Sequence, residues 1–387
     1  MNFNESKLGD LCEIRAGGTP SRSKSEYWDN GDIPWIKIGD INNKYVKNAS
    51  EYITVDGLNN SSAKLFKKGT ILYTIFATVG EVAILDFDAT TNQAIVGLNH
   101  NEKIDTNYLY YFLKSQKDKI SNISRGVAQN NINMSILKDI KVPIPDKTVQ
   151  LKISEVLDNA QGLIDKRKKQ IEELDLLVKS KFIEMFGDPV KNQKKLAKVK
   201  LSELGEWKTG GTPLRSKSEY YNGNIPWLSS GELNNKYCFK SNEMITESAI
   251  IESAAKIIEV GSLLLGMYDT AALKSTINMI ECSCNQAIAY SKLNENLVNT
   301  VYVYYCIQIG KEFYKSQQRG VRQKNLNLSM VKGLEILMPP LEFQNQFAEF
   351  VKQVDKLKFE MEKSLKELED NFNSLMQNAF KGELLSK

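Results

Sequence analysis

The sequence predicts an α+β chain of two tandem globular domains, each followed by a long helix, with the two helices packed on each other as an intramolecular coiled coil. Three observations support this prediction. At an offset of 192 to 194 residues, segment after segment of the 387-residue chain recurs in the same order. Each repeat opens with short alternating or apolar runs punctuated by Gly, Asn and Asp, the pattern of strands and turns. Each repeat closes on a proline-free stretch with apolar residues at heptad spacing.

The matches fix the order of elements. GGTPSRSKSEY at 17–27 recurs as GGTPLRSKSEY at 210–220, and IPW with NNKY (33–35, 42–45) recurs at 225–227 and 234–237. NQAI at 92–95 recurs at 285–288, and Arg125-Gly126-Val127 followed by Gln129 recurs as Arg319-Gly320-Val321 followed by Gln323. Runs at 70–76, 81–85 and 94–98 read as strands, and 107–124 with its copy 300–317 reads as one amphipathic helix, followed directly by the loop RGVAQNN. The first long helix has its seam at Leu157, Ala160, Ile164, Ile171, Leu174, Val178 and Met185, interrupted by Arg167 and Lys181. The second has Val351, Val354, Met361, Leu365, Leu368, Phe372, Leu375 and Ala379, interrupted by Lys358. Leu174 and Leu368 are expected to face each other. The expected boundaries are 1–146 and 201–340 for the globular domains, 147–187 and 341–387 for the helices, and 188–200 for a basic linker. A seam this long exceeds what one domain face usually covers, which favours the coiled coil over two helices packed separately on their own domains.

Charge and residue inventory exclude much chemistry. The formal charge is +4. Residues 1–146 are balanced and 201–340 carry a surplus of one base, so the excess sits in Lys191, Lys194, Lys195, Lys198 and Lys200. Binding to nucleic acid would therefore use local patches in the domains. His100 is the only histidine, which leaves no two-histidine metal site or catalytic pair. GGTPLRSKS lacks the glycine a phosphate loop needs before Lys217, and Cys282 with Cys284 is a lone C-x-C. Pro145-Asp146 leads into a heptad helix and not into a nuclease motif, no G-x-S-x-G occurs, and Met338-Pro339-Pro340-Leu341 is not the motif of an adenine methyltransferase. No apolar run is long enough to span a bilayer, so no membrane association is expected. The start lacks signal-peptide character and the five cysteines are scattered, pointing to a reducing cytoplasm.

The duplicated GGTP…IPW opening, the NQA segment, the RGxxQ run and the proline-then-glutamine exit into a long helix together resemble the specificity subunits of type I restriction-modification systems, over essentially the whole chain. The resemblance implies two tandem target-recognition domains, each reading half of a split double-stranded DNA sequence, and an antiparallel coiled coil that spaces them. It also implies a non-catalytic chain that docks two methyltransferase subunits and joins restriction subunits. S-adenosylmethionine, ATP and magnesium would then belong to those partners, with no cofactor in this chain. Two other readings stay open: an enzyme that modifies or cleaves DNA through an unrecognised site, and a scaffold whose domains bind protein.

Domains that read different bases must differ where they touch base edges, whereas frame and phosphate contacts can stay identical. The shared Gly18, Pro20, Pro34 and Trp35, with Gly211, Pro213, Pro226 and Trp227, are expected to set turn shape and core packing. The shared Arg22, Lys24, Arg215 and Lys217 are phosphate-contact candidates or solvated cations. Divergent polar or aromatic positions fall in three places. Lys37 and Asp40 stand against Ser229, Ser230 and Glu232. Thr74, Phe76 and Thr78 stand against Gly266, Met267, Tyr268, Asp269 and Thr270. Around the shared Arg125, Gln129, Arg319 and Gln323, Ala128, Asn130 and Asn131 stand against Arg322, Lys324 and Asn325. Gln and Asn suit adenine and Arg suits guanine, so these are the candidate DNA-binding residues.

Overall fold

The computed structural model describes residues 3–120, 132–268, 272–316 and 325–384. The chain divides into two compact units, residues 1–168 with 363–387, and 169–362. Each long helix is therefore shared between units, and each unit holds a piece of both.

The two units have the same strand plan. In the first, a five-stranded sheet runs in the order Cys12–Ala16, Ile95–His100, Ile71–Thr74, Val82–Leu85, Tyr45–Val46, the last pair parallel. A three-stranded sheet has Ile33–Ile36 between Glu51–Ile53 and Thr90–Thr91. The second unit repeats these as Lys208–Thr209, Ile288–Ser291, Leu263–Gly266, Ser275–Asn278, Tyr237–Cys238, and as Tyr221–Leu228 between Glu243–Ile245 and Ser283–Cys284. The central strands are buried on both faces, which is why they read as unbroken apolar runs. Because side chains alternate across a strand, one sequence feeds two cores. Ile71, Tyr73, Val82 and Ile84 face the helices, while Leu72, Ala83 and Leu85 pack with Ile36 and Phe66 beneath the smaller sheet.

The expected amphipathic helices are shorter than their periodicity suggests. The first runs Thr106–Ser115, breaks at Gln116 and is helical again at 117–120. Its copy is split into Thr300–Ile309 and Lys311–Lys315. Gly310 sits at the split, where a Cβ would come within 2.6 Å of the Tyr314 ring, so the glycine lets the second piece fold back close.

The long helices span Lys147–Phe186 and Leu341–Lys381. Each ends at a glycine with positive φ, Gly187 at 79° and Gly382 at 77°, where a side chain would be strained. They run antiparallel and in contact: Lys168 pairs with Glu369 at 2.8 Å in the first unit, and Asp175 with Lys358 at 2.7 Å in the second. They also enter the domain cores, so the two packings posed as alternatives coexist. Leu157 and Ile164 join Phe372, Met376 and Ala379 under the first sheet, and Leu174, Val178, Phe182 and Phe186 join Phe347, Val351 and Val354 under the second.

This register corrects the expectation that Leu174 and Leu368 face each other. Leu368 is level with the Lys168 turn and packs on the first unit's core, whereas Leu174 belongs to the second's. Charged substitutions at the two are therefore expected to act separately, their destabilisations adding within about 0.5 kcal/mol. Chemical denaturation of both single variants and the double variant measures this, and a large coupling term would restore the facing arrangement.

The basic run 188–200 is folded rather than a free tether, although all five of its lysines are exposed. Lys194 Nζ donates to the carbonyls of Glu184 and Met185 at 2.6 and 2.9 Å, a cation on the negative end of the first long helix. Lys198–Lys200 then pairs antiparallel with Glu335–Leu337, as Asn4–Lys7 pairs with Lys141–Ile144 in the first unit.

Candidate nucleic-acid interface

The GGTP segment is a packed joint. Gly17 and Gly18 donate to the carbonyls of Ile95 and Thr91, and Gly210 and Gly211 to those of Ile288 and Cys284. A Cβ on Gly18 would lie 2.3 Å from the Ser62 carbonyl carbon, and one on Gly211 2.2 Å from that of Ala254, so backbone approach demands glycine. The buried Trp35 and Trp227 donate Nε1–H to the carbonyls of Gly18 and Gly211 at 2.9 and 3.1 Å, tying IPW to GGTP. Gly18→Ala should cost about 1–3 kcal/mol by overpacking. Gly162, on the first long helix with nothing within 4 Å of its would-be Cβ, should instead gain about 0.5–1 kcal/mol as Gly162→Ala. Thermal unfolding of the two variants checks the opposite signs.

The shared cations lie on this joint. The Arg22 guanidinium is 3.6 Å from the Trp28 ring centroid and 4.8 Å from that of Trp35, and bonds Glu51 at 2.5 Å. Arg215 repeats the arrangement over Tyr221 and Trp227 with Glu243. Lys24 and Lys217 reach Tyr27 and Tyr220 hydroxyls at 2.9 and 2.8 Å. Bonds from Lys37 and then Arg22 hold the Glu51 carboxyl below its ordinary range, and Arg215 does the same to Glu243. The arginines are half-exposed, so stacking holds them in place while leaving them within reach of solvent.

The positions around Lys37 build turns. Asp40 accepts from the Lys37 N–H at 2.8 Å, and Glu232 accepts from the Ser229 N–H and hydroxyl at 2.8 and 2.7 Å, each capping a short helical turn. The Lys37 side chain is engaged by Glu51 at 2.5 Å, and Ser230 is part-exposed in the same turn as Ser229.

The hairpin between Ile71–Thr74 and Val82–Leu85 presents its tip to solvent. Phe76, Ala77 and Thr78 are exposed, with Ala77 at φ 60°. Thr74 is buried; its hydroxyl donates to the Thr78 carbonyl and accepts from the Glu81 N–H at 2.9 Å. It shapes the tip from inside the fold, while Phe76 and Thr78 lie on the surface. In the second unit Met267 is buried and Tyr268 exposed. Asp269 and Thr270 lie outside the described residues. So do Arg125, Ala128, Gln129, Asn130, Asn131, Arg319, Arg322, Gln323 and Lys324. The residues that follow those loops are tied to the hairpins: Ile132 N–H donates to the Ile75 carbonyl at 3.1 Å, and Leu326 N–H to that of Met267 at 2.8 Å. In each unit the chain leaving the loop is thus held beside the tip.

Two duplicated devices join the long helices to the domains; the glutamine of the proline-then-glutamine exit is legible in the sequence, and the aspartate partners of the NNKY lysines are not. Gln150, buried at the start of the first long helix, donates to the carbonyls of Pro145 and Lys103 and accepts from the Asp105 N–H at 2.7 Å. Gln344 bonds Pro339 and Asn299 in the same way. Lys44 and Lys236 of the NNKY blocks pair with Asp158 and Asp355 on the long helices. Burial pushes the Cys282 thiol up to about 12 and the Cys284 thiol well above its ordinary value, as inert core thiols. Among the described residues no cluster of three or more His, Cys, Asp or Glu could hold a metal, and no helix is long and apolar enough to cross a membrane.

The profile of the type I restriction modification DNA specificity domain matches this chain twice, over residues 1–175 and 193–370. The chain belongs to the type I restriction-modification specificity family. It is similar to the MjaIX specificity subunit of Methanocaldococcus jannaschii, 26% identical over 99% of this chain and 94% of the relative. It is also similar to the EcoR124I/EcoR124II specificity subunit of Escherichia coli, 30% identical over 43% of this chain and 45% of that one. Among solved structures, a chain described under complex assembly and conformational transition of the type I R-M system shares the fold with a TM-score of 0.66, at 16% identity, covering 99% of this chain and 98% of that one. The crystal structure of the S subunit from M. genitalium gives 0.53 at 16% identity, covering 98% and 96%. As a specificity subunit, the chain recognises the DNA target of a type I system and is a non-catalytic part of its complex.

Proposed function

We propose that each unit reads one half of a bipartite DNA target, with the hairpin tips, Phe76 to Thr78 in the first unit and Tyr268 onward in the second, placed against the bases. The observation that carries this is a duplicated frame whose tips, exposed at Phe76 to Thr78 and at Tyr268, differ in sequence. GGTP, Trp, stacked Arg and capped turn recur in both units, whereas Phe76-Ala77 of one tip stands against Tyr268-Asp269 of the other. Arg22, Lys24, Arg215 and Lys217 would contact phosphates from the frame, and Arg125, Gln129, Arg319 and Gln323 are further candidates for DNA contact. Two methyltransferase subunits would dock on the long helices, where Leu163, Leu176, Phe343 and Phe359 are exposed on turns whose other faces fill the cores. Restriction subunits complete the assembly, S-adenosylmethionine, ATP and magnesium serve those partners, and the complex works in the cytoplasm.

Mapping methylated adenines in cells with and without the gene tests this. The expected pattern is two short half-sites at a fixed separation, lost on deletion, and an unchanged pattern would refute it. Because the domains are nearly charge-balanced, the isolated chain should bind even its own target only at micromolar concentration or weaker near physiological salt, on the order of non-specific affinity. Nanomolar binding by the chain alone in a filter or anisotropy titration would show that the partners are not needed for phosphate contact.

A further inference from the structure

Lys44 and Lys236 are buried deeper than a lysine ordinarily lies, with side chains 15% and 13% exposed. Each is anchored at the sheet edge by its own carbonyl, which accepts from Ile84 N–H at 2.8 Å and from Ile277 N–H at 2.7 Å. Each ammonium then crosses the tyrosines of the short helix. Lys44 Nζ lies 5.5 and 4.9 Å from the Tyr110 and Tyr111 ring centroids, and Lys236 Nζ 5.2 Å from that of Tyr305. Both end on an aspartate of a long helix: Lys44 on Asp158, whose same oxygen accepts from the Tyr111 hydroxyl at 2.5 Å, and Lys236 on Asp355 at 2.6 Å, with the Tyr305 hydroxyl at 3.0 Å. Sheet, short helix and long helix thus meet at one directional bond in each unit.

Stability alone is a poor reason for building this twice, because the aspartates are 42% and 30% exposed and an ion pair open to water on one side contributes little. The surrounding apolar contacts hold the domain on the helix without fixing its direction, since hydrophobic burial is non-directional. An ion pair with a hydrogen-bonded third member does fix it. We infer that Lys44 with Asp158, and Lys236 with Asp355, are positioning pairs that orient each reading domain on its long helix and thereby set how strictly the complex requires one separation between half-sites. This rests on the bipartite reading proposed above.

The test uses the complex of the full chain with its methyltransferase subunits, and duplexes carrying the mapped half-sites at the native separation or one base pair longer or shorter. The wild-type complex comes first: indifference to separation there would overturn the bipartite reading itself. Given wild-type discrimination, Lys44→Met, which keeps the tyrosine cage filled, and Lys236→Met should each reduce the ratio of methylation rates between native and altered separations about tenfold. Asp158→Asn, which keeps the shape and an oxygen for the Tyr111 hydroxyl, and Asp355→Asn, which keeps the shape, should do the same and decide the matter if a lysine variant fails to assemble. Unchanged discrimination in active variants, with or without a lower melting temperature, would overturn the inference, because a merely structural role shifts stability and leaves the separation requirement intact.

Discussion

Phe182→Ala should destabilise the second unit by about 3–5 kcal/mol, lowering its melting temperature on the order of 10 °C. Phe182 and Phe186 leave the first long helix and meet Phe347 of the second at ring distances of 5.4 and 5.7 Å. Tyr302 of the short helix stacks on Phe182 at 5.6 Å and meets Phe186 edge-on at 4.9 Å. All four side chains are fully buried. Truncation removes one ring from a cluster to which three helices contribute, so the cavity cannot close without moving a helix. The loss is a large fraction of the 5–15 kcal/mol that typically holds a domain. Calorimetry should resolve it as an early transition with the first unit's transition unmoved. A loss below about 1 kcal/mol would mean that the cluster relaxes freely and does not join the helices.

The duplication made the two-part division, the long helices and three strands of each repeat legible in the sequence, because repeated Gly, Pro and Trp mark joints whose backbone geometry tolerates no substitute, whereas the order of strands in the two sheets was not. Gly18 and Gly211 are the clearest case: their neighbours stand where a Cβ would go. Heptad spacing likewise identified Val178, Val351 and Phe372 as core positions. Less was legible where function lies between elements. The aspartates that hold Lys44 and Lys236 are separated by 197 residues while the lysines are separated by 192, so a fixed-offset comparison passes over them. Phe182 stands one residue off the heptad seam, which passes through Lys181, because it faces the domain core, whereas Phe347 lies on the seam's continuation four residues before Val351. Thr74 and Thr78 are both polar candidates in a divergent segment, and only burial separates the threonine that shapes the tip from the exposed one.

Exchanging the tip of the first unit for that of the second should change one half of the recognised sequence and leave the other half and the separation intact. Burial confines the exchange to a shorter segment than sequence comparison suggests. Tyr73 and Thr74 are core and hinge, whereas Phe76, Ala77 and Thr78 are exposed. Aligned on the carbonyls of Ile75 and Met267, which bond equivalent chain segments, the exchange reduces to Phe76→Tyr with Ala77→Asp, because Thr78 and Thr270 are alike. The backbone should accept it: Ala77 already holds φ 60°, a conformation Asp adopts more readily than most residues. A carboxylate and a phenol placed against base edges can discriminate by about 1–3 kcal/mol per base pair, so preference at a contacted position should shift about 10- to 100-fold. Genome-wide methylation by the variant complex measures both halves together. If the complex is active and its target unchanged, the tips are not the readers, and the loops 125–131 and 319–325 become the segments to exchange next.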